Sequence, residues 1–223
     1  MSSTTLALAA SPAGVRSRVA WRVLLAFAGS WMVAALAQIE IRLPFTPVPI
    51  TGQTLGVLLV GAAFGPALGA ATLVLYLAWG LIGFPVFAPN PDGSHDAGIE
   101  VLRATSLTGG YLVGFVAAAG LTGWLSRRGW DRSLRSSIGA MFLGSIVIYA
   151  FGVPWLYHAL PPTIDGSPVT LDTALSFGLY PFIIGDTVKL LVAAGLLPVA
   201  WQLLRRLHPD AAARTEGRDD AAH

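Results

Sequence analysis

Long apolar runs separated by short polar connections make up most of this chain, and the pattern predicts an all-α fold. Six such runs occur, at about residues 19–39, 51–64, 67–82, 109–125, 138–156 and 180–206. A run of about 20 apolar residues is long enough to cross a bilayer as a helix. We therefore predict a polytopic membrane protein: a single six-transmembrane-helix bundle over residues 19–206, with disordered tails at 1–18 and 207–223.

Two of the connections have unusual sequences. Pro44, Pro47 and Pro49 alternate with apolar residues before the second run. Proline removes a backbone donor and favours extended conformations, and such backbone is tolerated at membrane depth only when it is buried in protein or lines a cavity. The second and third runs are joined by Gly65-Pro66 alone, where we predict a tight turn between closely packed helices.

The composition supports a membrane protein and excludes several other classes. The chain is 54% hydrophobic and 12% charged, with a mean hydropathy of +0.66, whereas soluble domains contain about 25% charged residues. It has no cysteine, which excludes disulfides, iron–sulfur clusters and zinc–thiolate sites. The basic residues flank apolar runs and form no stripe, so there is no nucleic-acid-binding signature.

The distribution of arginines predicts the orientation. Arginines cluster in every second connection, at positions 16, 18, 22, 127, 128, 132, 135, 205 and 206. The other connections carry mostly acidic residues, at 40, 92, 96, 100, 165 and 172, with only Arg42 and Arg103 basic. By the positive-inside rule, both termini are cytoplasmic. The first run is longer than a signal-peptide core and lacks a clear cleavage site, so we interpret it as a retained helix.

Two charged residues lie inside the sixth run. Asp186 and Lys189, the only lysine of the chain, are spaced i, i+3 and would share one helical face. A charge in a membrane segment costs roughly 2.5–3.5 kcal/mol on insertion scales, so it is usually paired and functional. The pair could simply neutralise itself within the bundle. It could equally bind a ligand that has a carboxylate at one end and N–H donors at the other.

Five further residues on the predicted outer side could contact such a ligand, and each has a simpler alternative. Gln53 could hydrogen-bond a ligand or face a lipid headgroup, and Asn90 could bind or form a turn. Tyr111 could contact a ligand or belong to the interfacial aromatic belt. Phe87 and Trp79 could wall a pocket or pack within the bundle. Because these residues and the pair converge on one side, we predict an extracellular ligand site there.

The first run carries a stripe of small residues, and the sequence lacks catalytic motifs. Ala26, Ser30 and Ala34 are spaced i, i+4, i+8, which permits close approach of another helix. No metalloprotease, nucleophile-elbow or P-loop motif is present. We therefore expect a protein without enzymatic activity, metal or cofactor. Energy for any uphill transport would have to come from an ion or from another subunit.

Four segments together resemble the BioY family, the biotin-specific substrate-binding (S) components of energy-coupling factor (ECF) transporters. They are P-V-P-I-T-G-Q-T-L-G-V-L-L-V-G at 47–61, Y-L-A-W-G-L-I-G-F-P-V-F-A at 76–88, T-G-G-Y-L-V-G-F at 108–115 and G-D-T-V-K at 185–189. The resemblance covers roughly residues 20–205. Gly52 replaces a leucine of the usual motif, and Ser106-Leu107 replaces the usual Gly-Pro.

The resemblance implies a function and roles for the candidate residues. It implies a multi-pass protein of the prokaryotic plasma membrane that captures biotin and works with a transmembrane coupling protein and two cytoplasmic ATPases. A solitary biotin transporter is the alternative. Asp186 would accept a ureido N–H, Lys189 would meet a polar end of biotin, and Asn90 or Gln53 would complete the hydrogen bonding. The stripe of Ala26, Ser30 and Ala34 would dock on the coupling protein, unless it serves packing within the chain.

Overall fold

The chain folds mainly into helices. The computed structural model describes residues 5–10, 15–90, 94–164 and 166–207. Within these residues the helices are α1 (Leu6–Ala9), α2 (Val15–Ala37), α3 (Gln53–Phe64), α4 (Pro66–Leu81), α5 (Gly109–Arg127), α6 (Leu134–Ala159), α7 (Leu171–Gly178) and α8 (Phe182–Leu207), with one 3-10 turn at Gly98–Leu102. Each of the six predicted apolar runs forms a helix.

Three details differ from the expected boundaries. The helix α2 begins at Val15, four residues before the predicted start, and the short helix α1 lies in the predicted tail. Residues 1–4, 11–14 and 208–223 of the predicted tails lie outside the described residues. The helix α7 occupies a connection predicted to be a loop. Its start is fixed by a capping box, in which Thr170 and Thr173 bond each other's backbone N–H groups.

Four of the described helices are long and apolar enough to cross a membrane: α2, α5, α6 and α8. The helices α3 and α4 are apolar but shorter. Large apolar side chains are exposed along α8, including Ile184, which is 80% exposed, and Val188, which is 58% exposed. In a membrane these side chains face lipid, so their exposure to the outside of the bundle carries no penalty.

The helices pack closely because glycines face one another. The tight turn at Gly65 has φ = 85°, which favours glycine, and Pro66 opens α4 immediately after it. A Cβ atom on Gly69 would lie 2.9 Å from the Cα of Gly61 on the preceding helix. The predicted tight turn and close packing of α3 against α4 are thus confirmed.

The proline-rich segment forms a loop within a short antiparallel ribbon. The strands β1 (Glu40–Ile41) and β2 (Ile50–Thr51) pair with Glu40 opposite Thr51. A second ribbon, β3 (Thr163–Ile164) with β4 (Ser167–Pro168), precedes α7. The first ribbon places the prolines at the end of the bundle where α3, α5 and α8 begin, and a cavity lined in part by Pro47 and Pro49 lies there.

Candidate ligand-binding site

A cavity of about 260 Å³ opens at this end of the bundle. Its walls come from the proline-rich loop, the segments on either side of the 3-10 turn, the N-terminal parts of α3, α5 and α8, and the middle of α6. The lining includes six of the seven predicted ligand contacts, namely Gln53, Phe87, Asn90, Tyr111, Asp186 and Lys189. Concave sites with a mainly apolar lining and a few polar groups are typical of small-molecule binding.

The carboxylate of Asp186 is the centre of the polar lining. Its Oδ1 accepts from Lys189 Nζ at 2.8 Å and from Thr54 Oγ1 at 3.2 Å, and its Oδ2 accepts from the phenol of Tyr149. The residue is 7% exposed. Lys189 Nζ also lies 3.4 Å from Thr54 Oγ1. Side chains of α3, α6 and α8 therefore meet at this carboxylate, and the charged pair is both internally neutralised and part of the cavity wall.

Tyr149 was not among the predicted ligand contacts. It lies in an apolar stretch of α6 and is 37 residues from Asp186 along the chain, so no local pattern links the two. A tyrosine in the middle of a membrane helix must bury a hydroxyl that needs a partner, which is the one signal that could have singled it out. Its ring also packs edge to face on Tyr111, with centroids 6.2 Å apart. The Tyr111 hydroxyl donates to the Gly178 carbonyl at 2.8 Å.

Gln53 lines the cavity with its amide held on both sides. Its Oε1 accepts from Thr51 Oγ1 at 2.7 Å, and its Nε2 donates to the Tyr76 hydroxyl at 2.7 Å. That hydroxyl donates in turn to the carbonyl of Val86 at 3.0 Å. Gln53 is 6% exposed, so it faces the interior rather than a headgroup.

Asn90 and Phe87 lie on the loop that follows α4. Asn90 Nδ2 donates to Ser94 Oγ at 3.1 Å and to Asp96 Oδ1 at 2.9 Å. Asn90 therefore combines the turn-forming role with a place in the cavity wall. Phe87 is 4% exposed and packs edge to face on Tyr76, with centroids 5.4 Å apart, so it serves both the core and the lining.

Trp79 lies outside the cavity. Its indole N–H donates to Ser30 Oγ at 3.2 Å, and its ring packs with Phe27, Trp31 and Phe84 at the contact between α2 and α4. The hydrogen bond to α2 turns the indole away from the ligand space, so the structure places Trp79 in bundle packing, the alternative interpretation.

The small-residue stripe is largely internal. Ser30 is fully buried, and its Oγ donates to the Phe27 carbonyl at 2.8 Å. Ala34 is 4% exposed within the main core, and Ala26 is partly exposed. Two of the three residues therefore contact other parts of this chain, as the packing alternative predicts.

Arg42 also lines the cavity and was not among the predicted contacts. Its Nε and Nη2 each lie 2.9 Å from a carboxylate oxygen of Glu40, and Nη2 also donates to the carbonyl of Pro89. These bonds tie the first ribbon to the loop that carries Asn90. Among the described residues, no cluster of His, Asp and Glu suited to a metal ion occurs.

The fold and the cavity define a helical membrane protein with a ligand-sized cavity, mainly apolar with a few polar groups, at one end of its bundle. The same fold occurs in a solved structure of the S-component for biotin from an ECF-type ABC transporter. The TM-score is 0.69 at 22% sequence identity, and the match covers 85% of this chain and 95% of that chain. The chain belongs to the BioY family, whose family model matches residues 7–206.

Named relatives agree with this family. The biotin transporter BioY of Rhizobium etli is 34% identical over 179 residues, which are 77% of this chain and 88% of that protein. The biotin transporter BioY of Rhodobacter capsulatus is 35% identical over 172 residues, which are 72% of this chain and 86% of that protein. The biotin transporter BioY of Thermotoga maritima is 33% identical over 154 residues, which are 69% of this chain and 81% of that protein.

Proposed function

We propose that this protein captures biotin in the cavity and acts as the substrate-binding subunit of an ECF-type vitamin uptake transporter. Membership of the BioY family and the names of its relatives support the ligand and the transport role. The observation that carries the proposal for this chain is the Asp186–Lys189–Tyr149 cluster, because it sets charged and hydroxyl groups into a cavity within an otherwise apolar bundle.

The free bonding capacity of the cluster fits the ureido group of biotin, which has two N–H donors and one carbonyl. A carboxylate has about four acceptor positions, and three donors already reach Asp186. An ammonium has three donors, and Lys189 uses two of them on Asp186 and Thr54. One acceptor and one donor remain to bind a ureido N–H and the ureido carbonyl. Phe87 and Tyr111 would enclose the apolar ring.

The proposed topology has six crossings, with both termini in the cytoplasm and the cavity open to the outside. The arginine distribution supports this orientation. The helix α3 has 12 residues and is about 18 Å long, which is less than the hydrocarbon thickness of about 30 Å. The proline-rich loop completes this crossing, because irregular backbone is tolerated at that depth where it lines a cavity. The protein would lie in the prokaryotic plasma membrane.

The proposed partners are a transmembrane coupling protein and two cytoplasmic ATPases. The sequence contains no P-loop, so hydrolysis of ATP would have to take place on another chain. Uptake of labelled biotin by cells that express this chain with and without those partners would test the assignment. Uptake that is equally fast without them would favour a solitary transporter instead.

Ligand identity is tested by calorimetric titration of the purified protein in detergent with biotin and with an unrelated vitamin. We expect saturable binding of biotin, no competition by the other vitamin, and a large loss of affinity in Asp186→Asn. Asp172→Asn, at an exposed position in the first turn of α7, is the matched control and should bind normally. Absence of biotin binding by the unmodified protein would refute the proposal.

A further inference from the structure

The cavity contains two cationic centres in different surroundings. Its charged lining residues are Arg42, Asp96, Asp186 and Lys189. The Lys189–Asp186 pair is the inner centre, with side chains 18% and 9% exposed. The Arg42–Glu40 pair is the outer centre, with side chains 32% and 19% exposed. Asp96 is bonded to Asn90. A ligand that is polar at both ends would therefore meet a different charge pair at each end.

The inner pair is poorly suited to a ligand carboxylate. Asp186 is held by Tyr149 and Thr54 as well as by the ammonium, so it cannot withdraw from Lys189. A ligand carboxylate bonded to Lys189 would place a second anion beside the first, away from bulk water. Two carboxylates that share one site disfavour the ionised state. The inner pair consequently suits an uncharged group that offers both donors and acceptors.

The outer pair can accept an anion. A guanidinium has five N–H donors in a planar fork, and three of those of Arg42 are used, two on Glu40 and one on the Pro89 carbonyl. Among the described residues, nothing accepts from its Nη1. Glu40 lies on a two-residue strand and is partly exposed, so water screens its charge and it can turn outward when another carboxylate arrives.

We propose that Arg42 recognises the carboxylate of the ligand and makes the site selective for the acid over neutral analogues. This inference rests on the proposed function, with biotin as the bipolar ligand. Its ureido group would meet Asp186 and Lys189, and its valerate carboxylate would receive the two Nη1 donors. Arg42 would then act as a determinant of specificity, while the inner pair supplies recognition common to the acid and to its neutral derivatives.

The test compares the affinities of biotin and of biotinamide, whose carboxyl end is uncharged, for the full chain in detergent. We expect Arg42→Gln to weaken biotin binding about tenfold more than it weakens biotinamide binding, because a charge-assisted bond is lost with one ligand only. Glu40→Gln keeps the Arg42 guanidinium and removes the carboxylate that competes with the ligand for it. This variant should therefore bind biotin at least as tightly as the unmodified chain. Arg103→Gln, which breaks an exposed 2.7 Å ion pair with Glu100, is the matched control for loss of an outer arginine.

The outcomes separate this inference from the proposed function. An equal loss for both ligands in Arg42→Gln would mean that Arg42 only holds the Pro89 loop, and no loss for either would mean that the carboxylate binds elsewhere. Both results would overturn the inference while biotin binding by the unmodified chain stands. Failure of the unmodified chain to bind biotin or biotinamide would instead remove the proposed function, and this inference with it.

Discussion

The Asp186–Lys189 pair allows the structural and ligand-binding roles of the two charges to be separated by a double-mutant cycle. The variants are Asp186→Asn, Lys189→Met and the combination of both. Removing one partner of a buried ion pair costs about 3–5 kcal/mol, because it leaves an uncompensated charge. Here the Asp186 and Lys189 side chains are 9% and 18% exposed and line a cavity. We therefore expect each single change to lower the free energy of unfolding by about 2–3 kcal/mol, which is less than for a fully buried pair.

The combined variant distinguishes the two roles. It removes both charges, so its free energy of unfolding should return to within about 1 kcal/mol of the unmodified protein. Its affinity for biotin should nevertheless stay low, because bonds to charged groups of about 1.5–3 kcal/mol are lost, which corresponds to roughly 10- to 150-fold in Kd. Stability would be measured by denaturant unfolding in detergent without ligand, and affinity by calorimetry.

Two results would contradict this reasoning. If the combined variant bound biotin as tightly as the unmodified chain, the pair would serve only to neutralise itself inside the bundle. If all three variants unfolded like the unmodified chain, the pair would not be buried as the structure has it. Recovery of stability without recovery of binding is the expected combination.

Three further changes have defined outcomes. Tyr149→Phe removes the hydroxyl that donates to the Asp186 carboxylate. We expect the free energy of unfolding, measured with denaturant, to fall by about 0.6–1.7 kcal/mol, as for other hydrogen bonds within membranes. An unchanged stability would count against this bond. Gly123→Ala places a Cβ 2.5 Å from the nitrogen of Pro66 and should cost about 1–3 kcal/mol, whereas Gly120→Ala, with open space at that position, is the neutral control on the same helix. Burial raises the pKa of the Asp131 carboxyl, which lies between α5 and α6 and accepts from the indole N–H of Trp201 at 2.7 Å. The folded state then holds the proton more tightly than the unfolded state, so stability should fall as pH rises above about 4. Asp131→Asn should flatten that dependence in unfolding curves recorded between acidic and neutral pH, and an unaltered slope would contradict the assignment.

The cavity residues that the sequence predicts differ in one physical respect from those that it does not predict. Asp186 and Lys189 were identified because a charge in an apolar run is costly wherever it lies, so it stands out without knowledge of its neighbours. Tyr149 and Arg42 were missed because an aromatic residue in a membrane helix and a basic residue in a connection are ordinary by themselves. Each gains meaning only from a partner far away in the chain or from the cavity beside it.

Trp79 illustrates the limit for helices that are apolar on all sides. In a soluble protein the polar face of a helix shows which side is buried. In α4 both sides are apolar, so its rotation about its own axis cannot be read from periodicity. The hydrogen bond from Trp79 to Ser30 and the packing of α2 against α4 settle that rotation, and they turn the indole away from the cavity.

The sequence by itself determined where the helices form, that they suit a membrane, and that one charged pair needs an explanation, because hydrophobic run length and the cost of buried charge are local properties. It also determined the turn at Gly65, whose positive φ favours glycine. Only the tertiary structure decided which polar groups meet. The convergence of α3, α6 and α8 on Asp186, and the approach of the first ribbon to the Pro89 loop, depend on how helices pack, and packing is set by contacts between residues distant in the chain.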